Sequence, residues 1–268
     1  MLFWIFCILS AVGDACLYLF LPTPLHPLWL FPIFLGGVLA INLLYLLLLL
    51  ISTLFLPRSA PRKDSAFCRL MIRLTADWIL VWFGVYYRVE GLEKLPAEPM
   101  VFVCNHRSMF DPIVTFCALS RRKTAFVSKL ANMRIPILGP YANRCFFLGI
   151  DRDSPLKALR TIRRAGDLVK EHGVDFGIYP EGTRTKDGRM HAYKEGAFVA
   201  ARRAESPIAV FAIQGTERAG RHPHPFRRVL VRLELLSVIP KEDVMTLTPK
   251  ELALRAERIT KAALGETE

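Results

Sequence analysis

From Met1 to Leu56 the chain contains no lysine, no arginine and one acid, Asp14, although the full 268 residues carry 36 basic and 24 acidic side chains. That start lacks the basic head of a cleaved signal peptide, and it shows neither a short apolar core nor a small-residue cleavage site. The six cysteines, at 7, 16, 68, 104, 117 and 145, form no CxxC pair. They read as small buried hydrophobes in a reducing compartment, not as a disulfide frame or a zinc ribbon. Zinc-finger spacing, an aromatic-interleaved basic run and a basic-region helix are also missing, so nucleic acid is the least favoured partner for the net charge of +12. His222 and His224 lie close together but in a proline-rich basic turn without Cys or acid beside them, so no metal is expected. GxSxG, internal repeats and low-complexity tracts are absent as well.

What is present begins with two apolar runs. Residues 1–21 would span roughly 31 Å as a helix and residues 32–56 roughly 37 Å. Prolines 22, 24 and 27 break the chain between them, so residues 1–56 read as a transmembrane hairpin. Arg58, Arg62, Lys63, Arg69 and Arg73 follow the second run directly, whereas the turn between the runs has no Lys or Arg. The positive-inside rule then puts the N-terminus and the basic remainder, including its active site, on the cytoplasmic side of a two-helix membrane protein. Asp14 and Asn42 fall at similar depth and are expected to hydrogen-bond across the hairpin. Residues 57–95 form a basic and aromatic connector. In it, Trp78, Trp82, Phe83, Tyr86 and Tyr87 suggest a helix over 66–87 lying in the membrane interface, with an ordinary amphipathic core helix as the alternative.

Beyond residue 57 the 36 basic side chains face 23 acids, a formal +13 that suits an anionic partner such as a membrane surface or an acidic carrier. Short apolar runs at 99–104, 123–128, 145–150, 175–179, 207–213 and 229–238 read as strands, several of them buried on both faces. Helical patterns at 112–119, 154–172, 192–205 and 249–264 alternate with them, the last with Thr248 as N-cap and Pro249 as its first residue. The fold class is therefore α/β, a mixed, largely parallel sheet flanked by helices and preceded by the hairpin. Residues 96–240 make the main domain and 241–268 a C-terminal helix.

Two polar strings interrupt this texture at strand ends: Asn105-His106-Arg107-Ser108-Met109-Phe110-Asp111 and Tyr179-Pro180-Glu181-Gly182-Thr183-Arg184. On one continuous helix His106 and Asp111 would point about 140° apart. They can pair only with His106 in the turn and Asp111 at the helix start, where Asp-Pro is a strong N-cap signal. One carboxylate oxygen would then cap the helix while the other holds the imidazole, giving a general base near neutral pH. Ser108 offers a hydrolase reading, but it sits inside the same tight turn as its base, and a substrate hydroxyl is the simpler nucleophile. In the second string Gly182 permits close approach, Thr183 supplies a hydroxyl and Arg184 a guanidinium fork, a combination suited to phosphate. Arg152 and Lys194 stand after neighbouring strands and share that role.

NHRSMFD, Phe147-Leu148-Gly149-Ile150-Asp151-Arg152, YPEGTRT and Pro207-Ile208-Ala209-Val210 occur in the order of the four blocks of the glycerolipid acyltransferases. Over residues 96–217 the chain resembles the bacterial-type 1-acylglycerol-3-phosphate acyltransferases of that family. Tyr179 and Tyr193 stand where Phe is frequent, and Ala209 where a bulkier residue is usual. The resemblance implies His106 as general base, Asp111 as its partner, and Arg152, Glu181, Gly182, Thr183 and Arg184 at the acceptor phosphate, with Lys194 added from its position. It implies acyl transfer from a thioester to the sn-2 hydroxyl of lysophosphatidic acid, giving phosphatidic acid, with acyl-CoA or acyl-carrier-protein as co-substrate and no cofactor. Lys157, Arg160 and Arg164 line one helix face that could meet anionic lipid or an acidic carrier. Acylation of another lysolipid, hydrolysis through Ser108 and a non-catalytic lipid-binding module are the rival readings.

Overall fold

The computed structural model describes residues 2–20, 27–56, 63–185, 189–219 and 228–266; His222 and His224 lie outside them. The chain divides into two compact units, Met1–Arg58 and Ser59–Glu268.

In the first unit, helices α1 (Leu2–Phe20) and α2 (Leu30–Ser52) pack side by side and run antiparallel. Phe6 meets Tyr45 with ring centroids 5.6 Å apart, and Ser10 Oγ donates to the Phe34 carbonyl at 2.8 Å. Gly37 makes that approach possible, because a Cβ there would lie 2.3 Å from Ser10 Oγ. The expected Asp14–Asn42 bond is not formed: Asn42 Nδ2 donates to the Val38 carbonyl one turn back in its own helix. Ser10 provides a polar link between the helices. Leu30–Phe55 is long and apolar enough to cross a membrane, whereas the apolar stretch of α1, Trp4–Leu19, is shorter. Among the described residues one helix is therefore of spanning length.

The second unit is built on a seven-stranded sheet. In chain order the strands are β1 (Val85–Glu90), β2 (Val101–Cys104), β3 (Thr124–Lys129), β4 (Leu148–Ile150), β5 (Asp175–Ile178), β6 (Ile208–Gln214) and β7 (Val229–Ile239). They lie side by side as β1-β7-β6-β2-β5-β3-β4. Every pairing is parallel except β6 with β7. The expected mixed, largely parallel sheet is therefore present. Strands β2 and β5 and nearly all of β6 are buried, as solid apolar runs between two helical layers should be. Alternate residues of β2 feed different cores. Val101 and Val103 pack beneath α6 (Pro155–His172), α7 (Val199–Ala204) and α9 (Pro249–Leu264), while Phe102 and Cys104 face α3 (Ala66–Trp82) and α4 (Asp111–Ala118). Gly177 in β5 lets the aromatic layer close, since a Cβ there would lie 2.4 Å from the Phe102 ring. Ser154 caps α6 through Lys157 N, and Thr248 with Glu251 forms a full capping box on α9, as the local pattern predicts.

Three expectations change. The 66–87 segment is not one interfacial helix: α3 stops at Trp82 with Cys68, Ala76 and Leu80 buried, and Tyr86 and Tyr87 belong to edge strand β1. The 192–205 helix begins late, as a 3-10 turn Glu195–Phe198 followed by α7. The 145–150 strand shortens to β4, because Phe146 takes a left-handed φ of 65° and stacks on His172.

Candidate active site

Parallel pairing of β2, β4, β5 and β6 brings the loops after all four to one edge of the sheet. His106 follows β2 and is nearly buried, its side chain 13 % exposed. Its Nδ1 lies 2.8 Å from Asp111 Oδ2. Asp111 is fully buried and is the first residue of α4, with Phe110 in the cap position. Its carboxylate does not divide its labour as expected. Oδ2 alone takes the imidazole together with the backbone N–H groups of Arg107 and Ser108, at 2.6 and 2.7 Å. Oδ1 is reserved for Thr216 Oγ1, at 2.5 Å. The carboxylate thus ties down the turn before the helix more than the helix itself. With Nδ1 committed to Asp111, Nε2 of His106 has no hydrogen-bond partner among the described residues.

Tyr179, closing β5, covers the imidazole face, with centroids 4.6 Å apart and 30° between the planes. Burial, with the neighbouring Asp111 carboxylate, pushes its phenol well above the usual tyrosine range, so it stays neutral. Burial pushes the Cys104 thiol up in the same way.

The loop after β5 is stitched to the histidine turn from both sides. His106 N donates to Glu181 Oε1 at 2.6 Å, and Thr185 N donates to the His106 carbonyl at 2.9 Å. Glu181 is buried and its second oxygen accepts from Thr185 Oγ1 and His191 N, at 3.1 and 2.9 Å. The expectation that Glu181 contacts the phosphate therefore does not match its geometry. The carboxylate faces inward, its acceptors are in use, and a carboxylate would repel an anion. Burial raises its pKa above the ordinary glutamate range, against the pull of those hydrogen bonds.

Gly182, Thr183 and Arg184 do face outward. Gly182 has φ +73°, a conformation a side chain would strain, and the Lys194 ammonium occupies the space a Cβ would need, 2.8 Å from it. Arg152 is held below the ordinary arginine range by partial desolvation and by the Arg184 charge, which places the two guanidinium groups near one another. Arg152, Arg184 and Lys194 have no carboxylate partner among the described residues. Cations gathered without counter-charges suit an anionic group. On the 157–164 stripe, by contrast, Lys157 pairs with Asp151 and Arg164 with Glu171, at 3.3 and 3.0 Å. Among the described residues no three His, Cys, Asp or Glu side chains come together as a metal cluster.

Residues 87–214, a stretch containing both motif loops, match the family model described as Acyltransferase. That match covers a little under half of the chain. Its curated relatives include the chloroplastic 1-acyl-sn-glycerol-3-phosphate acyltransferase BAT2 of Brassica napus, 33% identical over 143 residues, or 52% of this chain and 41% of that protein. A 1-acyl-sn-glycerol-3-phosphate acyltransferase of Pseudomonas aeruginosa is 30% identical over 145 residues, 54% of each chain. The chain thus spans about half the length, or less, of these two relatives. The crystal structure of PlsC, the 1-acyl-sn-glycerophosphate acyltransferase of Thermotoga maritima, has the same fold, with a TM-score of 0.62 over 98% of this chain and 95% of that one at 22% identity. The resemblance read from the motifs is borne out at the level of fold, and the acyltransferase family model matches the stretch that holds the motifs.

Several residues that hold this site together carry little local sequence signal. Thr216 reaches Asp111 across 105 residues. Asn105 holds both the N–H and the carbonyl of Ile213, at 2.8 and 3.0 Å. Glu257 and Thr260 of α9 take the backbone N–H and the hydroxyl of Tyr193, next to Lys194, at 2.8 and 3.2 Å. Only Asn105 lies inside a motif.

Proposed function

We propose that this protein is a 1-acylglycerol-3-phosphate O-acyltransferase, moving a fatty acyl group from a thioester to the sn-2 hydroxyl of lysophosphatidic acid to give phosphatidic acid. The observation that carries this reading is the buried His106–Asp111 pair with Nε2 unpartnered, stitched to a loop of cations that lack carboxylates. Nε2 removes the acceptor hydroxyl proton as its oxygen bonds to the thioester carbonyl carbon. The tetrahedral adduct collapses, the C–S bond breaks, and the departing thiolate takes the proton back from the imidazolium. Asp111 stabilises the imidazolium through Nδ1. Arg152, Arg184 and Lys194, with the open backbone at Gly182 and the Thr183 hydroxyl, bind the acceptor phosphate, while Glu181 shapes their loop. No cofactor enters the scheme; the thioester is the co-substrate, on coenzyme A or on an acidic carrier.

Ser108 is poorly placed for hydrolase chemistry. Its Oγ accepts from Phe110 N at 3.3 Å, inside the turn that Asp111 holds. The basic segment after α2 and the spanning length of that helix support a membrane anchor with the catalytic unit on the cytoplasmic side. An anchored enzyme remains where its lysolipid substrate and its product reside.

The test is a donor and acceptor panel on purified full-length protein, with His106→Ala and Ser108→Ala beside the wild type. Acylation of lysophosphatidic acid, its loss on removing the acceptor phosphate or His106, and its survival in Ser108→Ala are expected. Equal turnover of unphosphorylated monoacylglycerol, or full activity in His106→Ala, would overturn the proposal.

A further inference from the structure

Asp111 is usually thought of through the oxygen that meets histidine, yet here its other oxygen has a dedicated donor of its own. Thr216 is fully buried and opens a 3-10 turn, Thr216–Arg218, directly after β6. Gly215, at φ +95°, turns the chain so that the threonine side chain comes back under the edge of the sheet. Asn105 bonds both backbone groups of Ile213 and so locks the end of β6 to the residue preceding His106. Thr216 is thereby delivered to Asp111 Oδ1 at 2.5 Å from a part of the chain outside every recognised motif.

We propose that Thr216 is a positioning residue for the acid–base pair, acting on His106 through Asp111. The role rests on the acyl-transfer reading given above. A carboxylate gripped at one oxygen can rotate about its Cβ–Cγ bond; gripped at both, it holds Oδ2 in line with Nδ1. The hydroxyl donor also draws charge toward Oδ1 and so lowers the basicity of Oδ2. Without Thr216 the carboxylate is left with a buried unsatisfied oxygen and binds the imidazolium more strongly. His106 then holds its proton to higher pH, and less of it is free to act as base. The charged and titratable groups around the imidazole are Asp111 from α4, Tyr179 from the end of β5, Glu181 on its backbone N–H, Cys104 on β2 and Arg107 in its own turn. Substitution at 216 alters none of them chemically.

Thr216→Val keeps the volume and removes the donor, while Thr216→Ser keeps the donor and removes a methyl. In full-length protein in mixed micelles, Thr216→Val should lower kcat about tenfold or more, leave the acceptor KM near wild type, and move the acid limb of the rate profile up by about half a pH unit or more. Thr216→Ser should restore the wild-type limb and most of kcat. Equal losses in Val and Ser variants with an unmoved limb would reduce Thr216 to a packing residue and overturn the proposal, as would wild-type kinetics in Thr216→Val. An NMR titration of the His106 imidazole separates this failure from failure of the parent reading, because it needs no turnover. It should show an upward shift in Thr216→Val even if lysophosphatidic acid proves not to be the substrate. If Thr216→Val does not fold, Thr216→Ala is titrated in its place, and an unshifted His106 there overturns the proposal.

Discussion

Glu181→Gln removes a charge and almost no volume from the joint between the two motif loops. The wild-type carboxylate accepts from His106 N, Thr185 Oγ1 and His191 N. An amide has one acceptor end. Its less costly orientation keeps the oxygen on His106 N, lets the Thr185 hydroxyl turn to accept, and leaves the His191 N–H facing an NH2 group. One charge-assisted bond is lost outright and the others weaken to neutral strength, at about 1.5–3 kcal/mol for the first. His191 is exposed, so water satisfies its N–H and the total stays near 2 kcal/mol. For a unit of this size that lowers Tm by about 4–8 °C in a detergent-solubilised thermal melt. The pH dependence gives a second handle. Burial raises the folded pKa of Glu181 above its unfolded value, so the folded state holds the proton longer. Its contribution to stability is greatest below the ordinary glutamate range and declines as pH rises through the folded pKa. Glu181→Gln should lack that decline. In assays kcat should fall, because the histidine turn is displaced, while the preference for a phosphorylated acceptor persists. An unchanged Tm combined with a rise in KM confined to phosphorylated acceptors would refute this reasoning and return Glu181 to the phosphate.

The paired variants Arg152→Gln and Arg184→Gln should each raise the KM for lysophosphatidic acid by about ten- to a hundredfold, with little change for an unphosphorylated acceptor. Steady-state kinetics over a salt series checks this, and the wild-type KM should rise with ionic strength. Gly177→Ala forces a methyl against the Phe102 and Phe126 rings and should cost about 1–3 kcal/mol, read as a lower Tm. Burial pushes the thiol of Cys145 up to about 12 and those of Cys104 and Cys117 upward as well. These three should resist an alkylating reagent at pH 8 in the native protein and react on unfolding, as peptide mass mapping would show.

Much of the architecture was legible locally. Strands β2, β5 and β6 announce themselves as solid apolar runs, and α6 and α9 by serine or threonine caps followed by proline. His106 and Asp111 could be paired in advance because Asp-Pro marks a helix start. Strand β1 was hidden because its adjacent Tyr86 and Tyr87 continue the aromatic run of α3 and read equally well as the end of an interfacial helix; its pairing with β7 makes it a strand. The inward turn of Glu181 was hidden too, since an acid in a phosphate loop looks the same on paper whichever way it faces.

The residues alone determined the fold class, the order of the motif loops and which histidine, aspartate and cations stand in them. Periodicity, caps and charge are properties of neighbours along the chain. The tertiary structure decided what each group touches. It put Thr216 on Asp111, clamped Asn105 to Ile213, set Arg152 near Arg184 and turned Glu181 into a brace. These contacts depend on strand order and register, which follow from burying two aromatic and aliphatic cores on opposite faces of one sheet. Spacing along the chain therefore holds no record of them.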